Sequence, residues 1–200
     1  FTVGLSNATN GAILAAGMTG TGTIVNDDVQ PTISINNVSQ NEGNSGLSAF
    51  AFTVSLSNAS SQSITVLYST ANGTATSADN DYVATSGTIT FAAGVTTQTV
   101  NVYVRGDTKF ELTETFTVGL STPTNATIAN ATGTGTIVND DTQPTISINN
   151  VSRNEGDGGV TTYVFTISLS NSSYQDITVN YATADGTATT ADLDYGAISG

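Results

Sequence analysis

The sequence contains no cysteine, no histidine and no tryptophan. Without Cys it can form no disulfide. Without Cys or His it lacks the preferred ligands of zinc and copper. Its many Ser and Thr hydroxyls have no imidazole or thiolate to complete a familiar nucleophile–base pair. Basic residues are nearly absent as well: Lys and Arg total 3 against 16 Asp and Glu, a net charge of −13. Such a chain is a poor partner for nucleic acid, whose phosphates are held by Lys and Arg, and for an anionic membrane surface. Cations suit it better. No run approaches the ~20 apolar residues of a membrane span. No secretory leader is visible and Phe1 is not a natural start, so a processed chain or a segment of something longer is expected.

What is present is a Thr-, Ser-, Asn- and Gly-rich chain of 200 residues that repeats itself. Residues 20–28 read GTGTIVNDD, and residues 133–141 read the same nine letters, 113 positions on. PTISINNVS begins at Pro31 and again at Pro144, at the same offset. Aligned at that offset, 31–87 and 144–200 share 38 of 57 residues. FTVGLS at 1–6 returns at 116–121, an offset of 115, so the loop after it is two residues longer in the first copy. Periodicity of this kind marks a repeat architecture. The expected organisation is the tail of one repeat (1–28), a whole repeat (31–141) and the front of a third (144–200). The joints, Val29-Gln30-Pro31 and Thr142-Gln143-Pro144, are short and end in Pro, which fixes φ and restrains its predecessor. A stiff, closely coupled string is expected.

Apolar and polar residues alternate with period two, the mark of half-buried strands. Seven strands are predicted in the whole repeat: A over 32–35, B over 52–56, C over 64–68, D over 88–91, E over 100–104, F over 116–120 and G over 135–138. Thr on the outward positions fits the pleat. About seven strands in ~110 residues is the size of an immunoglobulin-like antiparallel sandwich, so the fold class is all-β.

If the strands alternate in direction, the A–B, C–D and E–F junctions and the end of G share one pole. Fifteen of the 16 carboxylates then gather there, and Asp176, in the B–C junction, is the exception. A merely solvated end would not need to spare the opposite pole. Packed carboxylates repel and raise one another's pKa unless a cation joins them. Calcium takes six to eight oxygen ligands in flexible geometry suited to loops, whereas magnesium keeps its waters and a stricter octahedron.

At this point the motifs resemble a known family. Asn41-Glu42-Gly43, Gly73-Thr74-Ala75 followed by Asp81-Tyr82, Phe110-Glu111-Leu112-Thr113-Glu114-Thr115-Phe116 and Ile137-Val138-Asn139-Asp140-Asp141 occur in the order of the Calx-β repeat of sodium–calcium exchangers and bacterial surface proteins. The resemblance implies an immunoglobulin-like sandwich with calcium near the joint to the next repeat. It implies Glu42, Asp81, Asp107, Glu111, Glu114, Asp140 and Asp141 as ligands, with Asp27, Asp28, Glu155 and Asp194 at the matching motifs of the partial copies. Gly106 and Asn139 stand where the richest pattern has further Asp residues, so one to three ions per repeat are expected. Tyr82 and Tyr195, each following a ligand Asp, are expected to pack and orient the loop.

Catalysis is not expected, because loops this short hardly build the sugar cleft that a carboxylate pair would need. The remaining reading is a calcium-stiffened structural repeat of an extracellular filament or large surface adhesin. Its partners would be neighbouring repeats or subunits of the same polymer and an adhesive target. The alternative is a calcium-regulated module whose ion occupancy switches a protein- or carbohydrate-binding surface. Near-identical copies and short joints favour the first.

Overall fold

The computed structural model describes all 200 residues and is built almost entirely of strands. It divides into two compact units, Phe1–Gln30 and Pro31–Gly200.

In the first unit, β1 (Thr2–Gly4) pairs antiparallel with β2 (Thr19–Thr21), Thr2 opposite Thr21 and Gly4 opposite Thr19. The G strand expected over 135–138 would fall at 22–25 in this copy, but the observed strand stops at Thr21, before it. From Gly22 onward the chain is not strand, and Gly22 N–H donates to the Phe1 carbonyl, the last rung of the ladder.

The second unit contains the complete sandwich. One sheet holds β3 (Thr32–Ile35), β5 (Gly46–Leu56), β8 (Thr97–Gly106) and β10 (Thr127–Asn130), in the order β10-β3-β5-β8. The other holds β4 (Val38–Asn41), β6 (Ile64–Asn72), β7 (Ser86–Phe91), β9 (Glu114–Thr124) and β11 (Thr132–Val138), in the order β4-β11-β9-β6-β7. The inward residues of the alternating pattern meet between the sheets. Phe50, Phe52, Phe91 and Phe116 are fully buried there with Ile33, Ile64 and five valines. The Phe116 ring stands 6.0 Å from both Phe50 and Phe52, and Tyr82 stacks on it at 4.6 Å.

The structure differs from the expected all-antiparallel order in one respect. Strand A is broken in two, and each half makes a parallel pair: β3 with β10, and β4 with β11. The break falls at Asn36-Asn37. There the Thr53 N–H donates to Asn36 Oδ1 at 2.7 Å, and the Thr134 N–H donates to Asn37 Oδ1 at 2.8 Å. Each side-chain amide oxygen replaces a ladder partner on one sheet as the chain crosses to the other, so the Thr53 and Thr134 donors stay paired across the break.

The third copy supplies β12 (Ile146–Ile148) and β13 (Ile167–Leu169), paired Ile146 to Leu169 as Ile33 pairs with Leu56 in the complete repeat. Its apolar face is open: Ile146, Ile148, Ile167 and Leu169 are all exposed. No helix is long and apolar enough to cross a membrane.

A candidate metal site at one pole of the sandwich

Strand register brings four loops of the complete repeat to one end. Gly46 lies opposite Gly106, Asn41 beside Val138, and Glu114 opposite Ile137. The loop before β5, the C–D loop after β6, the E–F loop after β8 and the end of β11 therefore converge. Together with Glu114, the first residue of β9, they carry all seven of the ligands that the resemblance implies for this repeat.

Glu42 is the only buried charged residue of the chain, 4% exposed. Its carboxyl is pushed up to about 7, first by burial and then by the charges of Glu111, Asp107, Asp141 and Asp140. Glu114 is likewise pushed up to about 7, by burial and then by the charge and hydrogen bond of Asp81, with Glu111 and Asp79 adding to it. Asp141 is raised by burial and by Asp140 and Asp107, and its Oδ2 is buried with no hydrogen-bond partner. Carboxylate oxygens of Asp81, Glu111 and Glu114 lie within 4.8 Å of one another. A cleft of about 360 Å3 opens beside them, lined by Glu42, Asp79, Asp81, Asp107 and Glu111 among others.

The loops are held by their own backbone. Asp81 Oδ2 accepts from the Thr76 N–H at 2.6 Å, and the Asp81 carbonyl accepts from the Arg105 N–H at 2.9 Å. Asp107 Oδ1 accepts from the Lys109 N–H at 2.7 Å. Asp140 Oδ1 accepts from the Gly43 N–H at 3.2 Å, which ties the A–B loop to the end of β11. These bonds fix where the carboxylates stand, and at Asp140 the second oxygen also accepts from the Asn41 amide at 3.4 Å.

Asn139 and Gly106, read in the sequence as lost ligands, have structural roles. Asn139 Oδ1 accepts from the Glu111 N–H at 3.2 Å and its amide donates to the Asp141 carbonyl at 3.1 Å, so it ties the E–F loop to the chain end of β11. At Gly106 a Cβ would stand 1.9 Å from the Gly43 carbonyl oxygen, so no side chain fits without displacing the Glu42-Gly43 backbone. Tyr82 packs as expected, buried on Phe116 with its hydroxyl donating to Asn72 Oδ1 at 2.5 Å.

Sequence reasoning missed three lining residues. Asp79 accepts from the Thr76 hydroxyl at 3.0 Å in the C–D loop, and its charge already counted toward the pole. Arg105 and Lys109 also line the cleft, and Lys109 Nζ lies 3.1 Å from Glu111 Oε1. The four ligands expected in the partial copies are all exposed. Asp27 and Asp28 belong to the first unit, and Glu155 and Asp194 to the third copy, where 144–200 carry no counterpart of the E–F loop. Asp176 stands apart within its own repeat, but its loop is not remote from the acidic pole. The B–C segment Ser172–Tyr174 pairs with Phe110 in the E–F loop of the preceding repeat.

Fold and site together define a class: a tandem β-sandwich repeat with its acidic loops gathered at one pole. The chain belongs to the Calx-beta domain family, whose profile matches residues 26–142 and again 138–200. Among solved structures it is similar to the apo-form Calx CBD1 domain, at 26% identity and a TM-score of 0.51, covering 56% of this chain and 100% of that one. It is similar to CBD12 from CALX1.2, at 26% identity and a TM-score of 0.50, covering 55% and 46%. The calcium binding domain CBD12 of CALX1.1 matches at 24% identity and a TM-score of 0.50, covering 63% and 54%. The match thus spans about half the length of the two CBD12 chains. No curated protein matches the sequence.

Proposed function

We propose that the chain is a tandem calcium-binding module, with one to three ions held among the loops at the acidic pole of each complete repeat. The observation that carries this reading is the buried Glu42 within reach of four other carboxylates, beside an Asp141 oxygen that is buried and unpartnered. Uncompensated charge in such a place is costly, and an oxygen-only donor set without His or Cys fits calcium. Asp81, Glu111 and Glu114 form one group of ligands, and Glu42, Asp107, Asp140 and Asp141 the other. A bound ion would supply positive charge to both, and the residues supply orientation through the backbone bonds described above. CBD12 of CALX1.1 is itself named a calcium binding domain. At 24% identity that likeness speaks for the shared fold, and the ligand reading stands on this chain's own carboxylates. The test is thermal melting of the 200-residue chain. A native-state ligand adds RT ln(1 + [L]/Kd), about 2.7 kcal/mol at a hundredfold excess over Kd. Millimolar calcium should raise Tm by several degrees and chelator should reverse it; identical melts in both overturn the reading.

The larger role we propose is structural, in an extracellular filament or surface adhesin where calcium stiffens each joint. It is supported by the 38 identities in 57 aligned residues and by the backbone pairing of one repeat's E–F loop with the next repeat's B–C loop. The second reading is a calcium-regulated switch module, with the open cleft beside the acidic pole as the surface that ion occupancy would alter. Native material decides: a very long chain of near-identical repeats supports the filament, and a short chain with a binding partner supports the switch.

A further inference from the structure

The E–F loop contains one cation among its acids. The Lys109 ammonium is 3.1 Å from Glu111 Oε1 and, at the same time, 4.8 Å from the centroid of the Tyr174 ring, which belongs to the next repeat. The backbone that carries the ring is held there: the Phe110 N–H donates to the Ser172 carbonyl at 3.0 Å, and the Tyr174 N–H donates to the Phe110 carbonyl at 2.9 Å. The lysine backbone is also held, by its N–H bond to Asp107. Glu111 is therefore shared between two cations, the tethered ammonium and any ion gathered by Asp81, Glu111 and Glu114. The two repel, and both cannot hold Glu111 fully.

We infer that Lys109 competes with calcium for Glu111, and that Tyr174 is the seat it keeps when an ion takes that carboxylate, so that the B–C loop of one repeat sets the ion affinity of the repeat before it. This rests on the calcium reading above. An aromatic face attracts an ammonium once its carboxylate partner is withdrawn. The seat is particular to this joint: the position matching Tyr174 in the complete repeat is Ser61, which has no ring to offer. Neighbouring repeats with nearly the same ligands would then bind calcium with different strength, each according to the B–C loop of its C-terminal neighbour.

Calorimetric titration of the 200-residue chain with calcium chloride tests this. Lys109→Gln should tighten binding roughly fivefold, the size of an exposed ion pair, while Lys109→Arg stays near the wild type. Tyr174→Ser should weaken binding a few-fold when Lys109 is present and change nothing in the Lys109→Gln background. In proton NMR, calcium should move the Lys109 ε-methylene further upfield under the Tyr174 ring current. An unchanged affinity in Lys109→Gln, or a Tyr174→Ser effect that persists without Lys109, overturns the inference and leaves the calcium reading intact. A wild type that takes up no calcium overturns both.

Discussion

Residues 31–87 and 144–200 share 38 of 57 letters in different surroundings, and they separate what is local from what is not. The C–D loop is the same in both. Thr76 bonds Asp81 and Asp79 at 2.6 and 3.0 Å, and Thr189 bonds Asp194 and Asp192 at 2.9 Å each. Tyr82 bonds Asn72 at 2.5 Å as Tyr195 bonds Asp185 at 2.7 Å. These side-chain-to-backbone turns are written in a few adjacent residues. Burial is not. Glu42 is 4% exposed, whereas Glu155, in the same Asn-Glu-Gly motif, is exposed. Turn geometry comes from the loop itself; a carboxylate out of water and among its own kind needs the E–F loop and the end of β11.

The strongest way to break the contrast is to remove what 144–200 lack. Phe116→Ala empties the place between Phe50, Phe52 and Tyr82, and such truncations cost about 3–5 kcal/mol. Urea unfolding followed by tyrosine fluorescence should register that loss and should abolish the calcium response with it. Next in size is the matched pair Glu42→Gln and Glu155→Gln. The first should weaken calcium binding at least tenfold by calorimetry and, in chelator at pH 8, raise Tm, because it removes a repelling charge; the second should leave both measurements unchanged.

Acidity provides a third comparison. Glu42 and Glu114 are both raised to about 7. An acid raised on folding favours the folded state below its unfolded value, near 4.3, and loses that advantage as pH climbs through the folded value. In chelator, Tm should therefore fall between about pH 4.5 and 7. Calcium must displace these protons, so its effect should grow over the same interval. Glu42→Gln should halve the slope in chelator, and a flat profile would remove the two raised carboxyls from the account. The smallest effect is expected of Asn139→Ala, which cuts two backbone bonds at about 1 kcal/mol each at most. A modest fall in Tm and a weaker affinity should result, with Asn139→Asp restoring part of the affinity.

The repeat, its strands B to F and the acidic pole were legible because alternation and the 113-residue offset are properties of the chain alone. The break in strand A was not, because Asn36-Asn37 reads as more strand until Thr53 and Thr134 are seen bonding to its side chains. Nor was β10, a four-residue strand whose partner, β3, lies about 95 residues earlier. Asn139 and Gly106 read as ligands lost by comparison with a richer pattern; their roles depend on a loop and a carbonyl brought close only by folding. Asp176 lies in a B–C loop, away from the acidic loops of its own repeat, but its place in the chain could not reveal that this loop meets the previous repeat's E–F loop.

The parallel pairing of β4 with β11 has a mechanical consequence. β4 lies near the start of the repeat and β11 near its end, and Val38–Asn41 run alongside Gly135–Val138 in the same direction. A pull on the two ends of the repeat draws these strands past each other along their length. Their cross-links are loaded together in shear and must fail as a group, where an antiparallel hairpin pulled at its open end would unzip one rung at a time. Beyond β11 the same strand leads directly into Asp140 and Asp141, so the rungs that carry the load end at the carboxylates of the acidic pole.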